Sequence, residues 1–356
     1  MKKLWEYKLD LLYYGIRITE ECYKLLKKDN NGKVTFNDYI TTKGLFIILN
    51  DTISVNVLIN TTSSYCIDLE DSNFILKHNS NKICNITIKQ APEFALNSLT
   101  LPNGRLITDL INIHGDRIRI QPIQGCANKC RFCDLNLLKY HLNSIEDLEA
   151  AFIYAKKNVG FRHALISGGT PLNNQKDFDY QNNVYKYFGE KYGQDYPIDI
   201  MLVPRSININ DNSEQTYKEF LNKLKEWNIS GIYINLELYN DFYRQDYIPQ
   251  KDIVGKDKYF KFIKLAVEVF GKGNVKSCII IGIEDIEDSL KAVEELSSIG
   301  CLPVLSPYIP NDNETFLPNP QFMKDILLKA KEITDKNKVE LGPTCDLCKH
   351  NTIHFK

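Results

Sequence analysis

From about residue 117 to residue 336 the chain alternates short β-branched apolar runs with helical segments, and this rhythm limits the possible folds more than any other feature. Candidate strands lie at 117–121, 164–167, 198–203, 232–236, 278–283 and 303–305. Helical periodicity follows each, near 144–157, 177–192, 213–227, 257–270, 286–299 and 320–336. Six β/α units in this order predict a parallel sheet with outer helices. The expected fold is α/β, a partial (β/α)6 TIM-type barrel, and such barrels gather their chemistry at the C-terminal ends of the strands.

The first 110 residues have a different pattern. Leu9, Leu12 and Ile16, then Cys22, Leu25 and Leu26, recur at near-helical spacing until Asn30-Asn31-Gly32. Short β-branched runs follow from 34 to 88, such as 45–49 and 53–59, punctuated by Asn, Asp, Ser and Gly. The expected division is a small β-rich accessory domain at 1–110, the barrel at 111–318, and a C-terminal helix and CxxC tail at 319–356. With 43% hydrophobic and 25% charged residues the chain is not disordered, and a formal charge of −1 supplies no basic stripe, which disfavours a polynucleotide partner. Glu6, Lys8 and Asp10 interrupt any signal-peptide core, and no apolar run reaches membrane-spanning length. A cytoplasmic protein is expected, whose ten cysteines serve as ligands or buried apolar residues sooner than as disulfides.

Directly after the first candidate strand comes Cys126-Ala127-Asn128-Lys129-Cys130-Arg131-Phe132-Cys133, a C-x₃-C-x₂-C loop. Cubane iron–sulfur clusters usually take four thiolates. Three on one loop suggest a cluster with one iron open to a non-protein ligand. A zinc knuckle would need a fourth ligand nearby, yet the next histidine, His141, lies beyond the apolar Leu137-Leu138. The loop resembles that of the radical S-adenosylmethionine (SAM) superfamily, and the likeness, to its biotin-synthase-like branch, covers about residues 115–308. The resemblance implies that Cys126, Cys130 and Cys133 are the catalytic ligands of a [4Fe–4S] cluster, with Phe132 beside the cofactor. It further implies that the open iron chelates SAM and that a low-potential electron, from a donor such as flavodoxin or ferredoxin, cleaves the sulfonium bond. The resulting 5′-deoxyadenosyl radical would abstract hydrogen from a small molecule or cofactor precursor in an oxygen-sensitive biosynthetic enzyme.

Other strand ends extend the resemblance. Ser167-Gly168-Gly169-Thr170-Pro171 resembles a Gly-Gly-Glu motif whose backbone meets the SAM amino group, although Thr170 replaces the Glu. Asn235 and Glu237 alternate onto one strand face, and the resemblance assigns them to the SAM ribose. Arg244 and Lys256 are then candidates for the SAM carboxylate, with solvated loop charges as the alternative. Gly282 and Glu284 partly match a stretch along the adenine, with Cys278 where a glycine is expected. Tyr308, after the sixth strand, is placed for adenine or substrate. Arg205, after the third, offers a fork for a carboxylate or phosphate, which would make the substrate anionic, or else forms a structural salt bridge.

The tail carries Cys345-Asp346-Leu347-Cys348-Lys349-His350, with His354 beyond. This spacing suits zinc, a second cluster or a reactive dithiol. Its partners are open: Cys278 and Cys301, expected at strand starts, reach it only if the tail folds under the barrel, and Cys66 and Cys84 are the other reservoir. A second metal site there would suggest sulfur insertion or metallocofactor assembly. Peptide modification and a non-catalytic zinc or iron–sulfur module are the remaining alternatives.

Overall fold

Two sheets organise the chain in the computed structural model, which describes residues 2–34, 44–204, 213–309 and 318–356. The first sheet comprises β1 (Arg17–Ile18), β2 (Leu45–Leu49), β3 (Ile53–Val57), β4 (Tyr65–Glu70), β5 (Asn73–His78) and β6 (Asn81–Lys89), in the order β1-β4-β5-β6-β2-β3. Every residue of β2 and β3 is buried, because this end of the sheet is covered on both faces. Helix α1 (Leu4–Tyr14) buries Leu9, Leu11 and Leu12 and packs on β3. It ends at Gly15, whose φ of +66° and 2.6 Å approach of a notional Cβ to the Leu58 carbonyl leave room only for glycine. Helix α2 (Glu20–Leu25) is capped by the Thr19 side chain and lies against β4, and α3 (Glu93–Leu96) leads towards the second sheet.

That sheet holds β7 (Ile111–His114) and β8 (Arg117–Ile120), then, beyond the small ribbon of β9 (Ile123–Gln124) and β10 (His141–Leu142), β11 (His163–Ile166), β12 (Ile198–Met201), β13 (Gly231–Tyr233), β14 (Val275–Ile281) and β15 (Leu302–Pro307). Its order is β15-β14-β13-β12-β11-β8-β7, with β8 to β15 parallel, so the six expected strands lie side by side in chain order as a curled partial barrel. The seventh strand, β7, was not expected. It pairs antiparallel with β8 through the two-residue turn Gly115-Asp116, with Gly115 at φ +61°. Outer helices α4 (Ile145–Asn158), α5 (Gln175–Tyr192), α6 (Glu214–Glu226), α9 (Lys256–Phe270), α10 (Ile286–Ser298) and α11 (Pro320–Lys336) match the periodic segments, while α7 (Asp241–Tyr247) and α8 (Pro249–Asp252) are short additions after β13. None of the described helices is long and apolar enough to cross a membrane.

The tail joins the two sheets. Gly342 and Ile353 donate backbone bonds to Pro303 and Leu305 of edge strand β15, while Asn56 of β3 donates to the His350 carbonyl at 2.7 Å. Lys8 of α1, wholly buried, donates to the Lys349 carbonyl at 2.7 Å. Burial pushes its ammonium down from 10.5 to about 7. Between these values the unfolded chain holds the extra proton, so stability is lost as pH falls from about 10 towards 7, at up to roughly 1.4 kcal/mol per pH unit. Relative to Lys8→Met, the unmutated chain should therefore gain urea resistance from pH 7 to 10; a pH-independent difference would contradict this.

Candidate active site

The loop between β9 and β10 presents Cys126, Cys130 and Cys133 to one cavity of about 260 Å³. Two neighbouring segments hold it. On one side Thr170 is bonded by backbone and side chain: its N–H donates to Cys126 Sγ (3.2 Å), its carbonyl accepts from Ala127 N–H (3.0 Å), and its hydroxyl accepts from Asn128 Nδ2 (2.8 Å). On the other, Arg131 pairs with Asp246 at 2.5 Å and stacks on Tyr247, and Lys129 N–H donates to Gln250 at 2.8 Å. Burial pushes the Cys130 thiol up to about 12 and raises Cys133 as well. Nearby Lys251 counters this at Cys130 by favouring the thiolate.

Gly168 and Gly169 are required by a close approach of backbones. A Cβ on Gly169 would lie 1.6 Å from the Gly125 carbonyl oxygen, and one on Gly168 would lie 2.7 Å from that of Ile123. No rotamer relieves a clash with backbone. Gly169→Ala should therefore push the loop after β11 away from the cysteines, costing at least about 1–3 kcal/mol. The expected result is a lower melting temperature and less iron bound per chain after reconstitution; full iron loading would show that the loop can move freely.

Asn235 and Glu237 line the same cavity, although β13 ends earlier than expected, at Tyr233. What holds them is β14: Asn235 Oδ1 accepts from Cys278 N–H (3.2 Å), and the Glu237 backbone bonds Cys278 and Ile280 at 2.9 and 2.8 Å. Those bonds hold Glu237 at φ +67°, a left-handed conformation that a residue with a Cβ adopts at a cost. Its side chain is buried, and the carboxylate pairs with Lys251 Nζ at 2.6 Å. The Lys251 ammonium is held charged by that partner although burial opposes it.

Phe132, Thr170 and Tyr308 also line the cavity, whereas Arg244, Lys256, Gly282 and Glu284 are not among its lining residues. Arg244 is fully buried and donates to the carbonyls of Leu236 and Leu238 at 3.1 and 2.8 Å, which fixes the chain after β13. Lys256 donates to the Tyr239 carbonyl and lies over that ring. Glu284 accepts from the N–H groups of Tyr239 and Asn240, each at 2.9 Å, and burial raises its carboxyl. A Cβ on Gly282, at φ +103°, would meet Pro318 at 2.9 Å. Arg205 lies outside the described residues.

Lys251 escaped the sequence reading, which passed from Arg244 to Lys256; its only signal was a lysine in the first turn of a helix begun by Pro249. Arg117 and Arg119 escaped it too. They alternate with Ile118 and Ile120 on β8 and line the cavity, Arg119 Nε donating to Ser167 Oγ at 2.7 Å. Cys278 is the fourth residue of β14, not at its start, and also lines the cavity. The tail lies at the far, N-terminal end of the strands, where Cys345 and Cys348 meet Asp116 and His163. The Cys345 thiol is pushed down to about 5, first by a hydrogen bond from Cys348 and then by one from His163.

The three cysteines form a purely thiol donor set on one loop, which fits a cubane bound through three irons. The family model for the radical SAM superfamily matches residues 120–313, from the end of β8 to beyond β15. No curated protein matches the chain. Among solved structures, a radical SAM methyltransferase from Sphaerobacter thermophilus is 14% identical over 78% of this chain and 74% of its own, at TM-score 0.46. SuiB from Streptococcus suis, bound to S-adenosylmethionine, is 19% identical over 67% of this chain and 53% of its own, at TM-score 0.48. The FeFe-hydrogenase maturase HydG from Carboxydothermus hydrogenoformans is 18% identical over 67% and 58%, at TM-score 0.45. Because the family model spans more than half of the chain, the protein belongs to the radical SAM superfamily and is an enzyme whose cofactors are a [4Fe–4S] cluster and S-adenosylmethionine.

Proposed function

We propose that Cys126, Cys130 and Cys133 hold the cluster, that Gly168, Gly169, Asn235 and Glu237 position SAM beside it, and that the substrate is a small molecule bearing an anionic group. When bound, the cluster and SAM supply a 5′-deoxyadenosyl radical. The observation that carries the reading is that Cys126, Cys130 and Cys133 line one cavity together with Arg117 and Arg119. Among the described residues that line it, three cations, Arg117, Arg119 and Lys251, stand beside one carboxylate, Glu237. A lining with this balance favours an anion, and guanidinium groups suit carboxylate or phosphate. The cavity volume supports a small substrate over a polymer. Thr170 holds the cysteine loop in place through Asn128, and Lys251 pairs with Glu237 beside it. A low-potential electron donor such as flavodoxin or ferredoxin completes the reading.

The resemblance to the biotin-synthase-like branch is weaker than that to the superfamily, because Arg244 and Lys256, which extended it, bond the protein's own backbone. The first test is anaerobic: reconstituted protein given SAM and dithionite should release 5′-deoxyadenosine and methionine. Intact cluster with no SAM cleavage would overturn the reading. The substrate class is tested by inorganic phosphate, which should raise the melting temperature of the unmutated protein and should need about ten-fold higher concentration for the same rise in Arg117→Gln, as expected for the loss of one charge-assisted hydrogen bond of ~1.5 kcal/mol or more.

A further inference from the structure

The N-terminal end of the barrel carries a second ligand set that the SAM site does not use. Asp116 comes from the β7–β8 turn, His163 from the first residue of β11, and Cys345 and Cys348 from the tail. Cys345 Sγ lies 3.3 Å from Asp116 Oδ1, Cys348 Sγ lies 3.5 Å from His163 Nε2, and that nitrogen lies 3.5 Å from Asp116 Oδ1. All four ligand atoms fall within 4.8 Å of one another. A tetrahedral zinc ion, with Zn–S near 2.3 Å and Zn–N or Zn–O near 2.0–2.1 Å, needs its ligand atoms about 3.3–3.8 Å apart. These three separations meet that requirement. Two sulfurs, an imidazole and a carboxylate are also the donor types that zinc takes.

We propose that Asp116, His163, Cys345 and Cys348 bind one structural Zn²⁺ ion, which pins the C-terminal tail beneath the barrel. A second iron–sulfur cubane fits less well, because it would need more thiolates and a wider spread than four atoms held this close. Arg162 donates to the other Asp116 oxygen, so the carboxylate is oriented from outside the set. None of the partners foreseen for the tail takes part. His350 bonds the Leu347 carbonyl and His354 that of Leu341, while Cys66, Cys84, Cys278 and Cys301 lie outside the group.

The position of the ion gives it a task. The tail is bonded to edge strand β15 at Gly342 and again at Ile353. Between these anchors it crosses to the β7–β8 turn, where Leu347 Cβ would touch any side chain placed on Gly115, at 2.8 Å. Its one regular element there is a single 3₁₀ turn, Asp346–Lys349, too short to hold itself. Cys348, His350 and Thr352 of this crossing line the same cavity as Cys126, Cys130 and Cys133. Zinc would therefore fix the floor of a cavity whose opposite end carries the radical chemistry. With four protein ligands and no open position, the ion itself is not catalytic.

Metal analysis of the anaerobically purified holoenzyme tests this. About one zinc per chain is expected, retained when Cys126, Cys130 and Cys133 are all replaced by Ala. His163→Ala and Cys345→Ser/Cys348→Ser should lose that zinc while keeping the iron of the SAM cluster. Should these variants fold poorly, Co²⁺ substituted into the unmutated chain decides the matter: intense visible bands and sulfur-to-cobalt charge transfer mark a tetrahedral two-thiolate site. Three results would overturn the proposal: a weak octahedral cobalt spectrum, zinc unaffected by the tail variants, or iron loss from the tail variants that reveals a second cluster. None of them bears on SAM cleavage, so the two readings fail separately.

Discussion

Cys126→Ala, Cys130→Ala and Cys133→Ala are each expected to abolish reductive SAM cleavage, a loss of at least about 10⁶-fold if enzymatic acceleration has its usual size. The reason is geometric as well as chemical. The three thiols sit on one loop that is locked by Thr170 and Asn128 on one side and by Asp246, Tyr247 and Gln250 on the other. Removing one sulfur would leave a cluster iron without its ligand, and at Cys126 it would also remove the acceptor of the Thr170 N–H. Iron content, the visible absorption of the cluster and 5′-deoxyadenosine release should fall together. Cys278→Ala is the discriminating control. Its thiol lines the same cavity from β14, yet it should retain both iron and SAM cleavage. Equal loss in Cys278→Ala would mean that the cluster's ligand set has been assigned wrongly.

Lys251→Met is expected to have the largest effect on stability. Lys251 Nζ and Glu237 Oε1 are 2.6 Å apart, with side chains only 10% and 8% exposed. Breaking a buried pair from one side typically costs about 3–5 kcal/mol, because the partner is left charged and unpaired. The same substitution removes the cation that favours the Cys130 thiolate, so iron loading should also fall. Glu237→Gln/Lys251→Met, which leaves no orphaned charge, should be more stable than Lys251→Met alone. Urea midpoints of the three proteins measure this; if the double variant were no more stable than the single, the pair would not be what holds the segment.

Much of the barrel was legible because its signals are local. β-Branched runs alternate with helical periodicity at the right lengths, and the glycine pair after β11 announces a close backbone approach. The antiparallel strand β7 was missed because Ile111–His114 is short and carries no signal beyond Gly115. The carboxylate candidates Arg244 and Lys256 bond the protein's own backbone, which no local signal announces. Arg244 looks like a loop cation in the sequence, but the chain after β13 turns back over it, and its guanidinium donates to the carbonyls of Leu236 and Leu238. Glu284 likewise serves the N–H groups at the start of α7.

The sequence by itself determined how the reaction starts, because a cysteine motif compressed into eight residues needs no long-range folding to be recognised. Tertiary structure alone decided which other groups share that cavity. Lys251 meets Glu237 across 14 residues, and Cys348 meets His163 across 185. Such pairs are made by the parallel sheet, which brings strand ends from distant parts of the chain into one layer, and by the tail's bonds to an edge strand. No spacing rule along the chain encodes those distances, so the Asp116, His163, Cys345 and Cys348 set could be found only once the tail was seen to fold beneath the barrel.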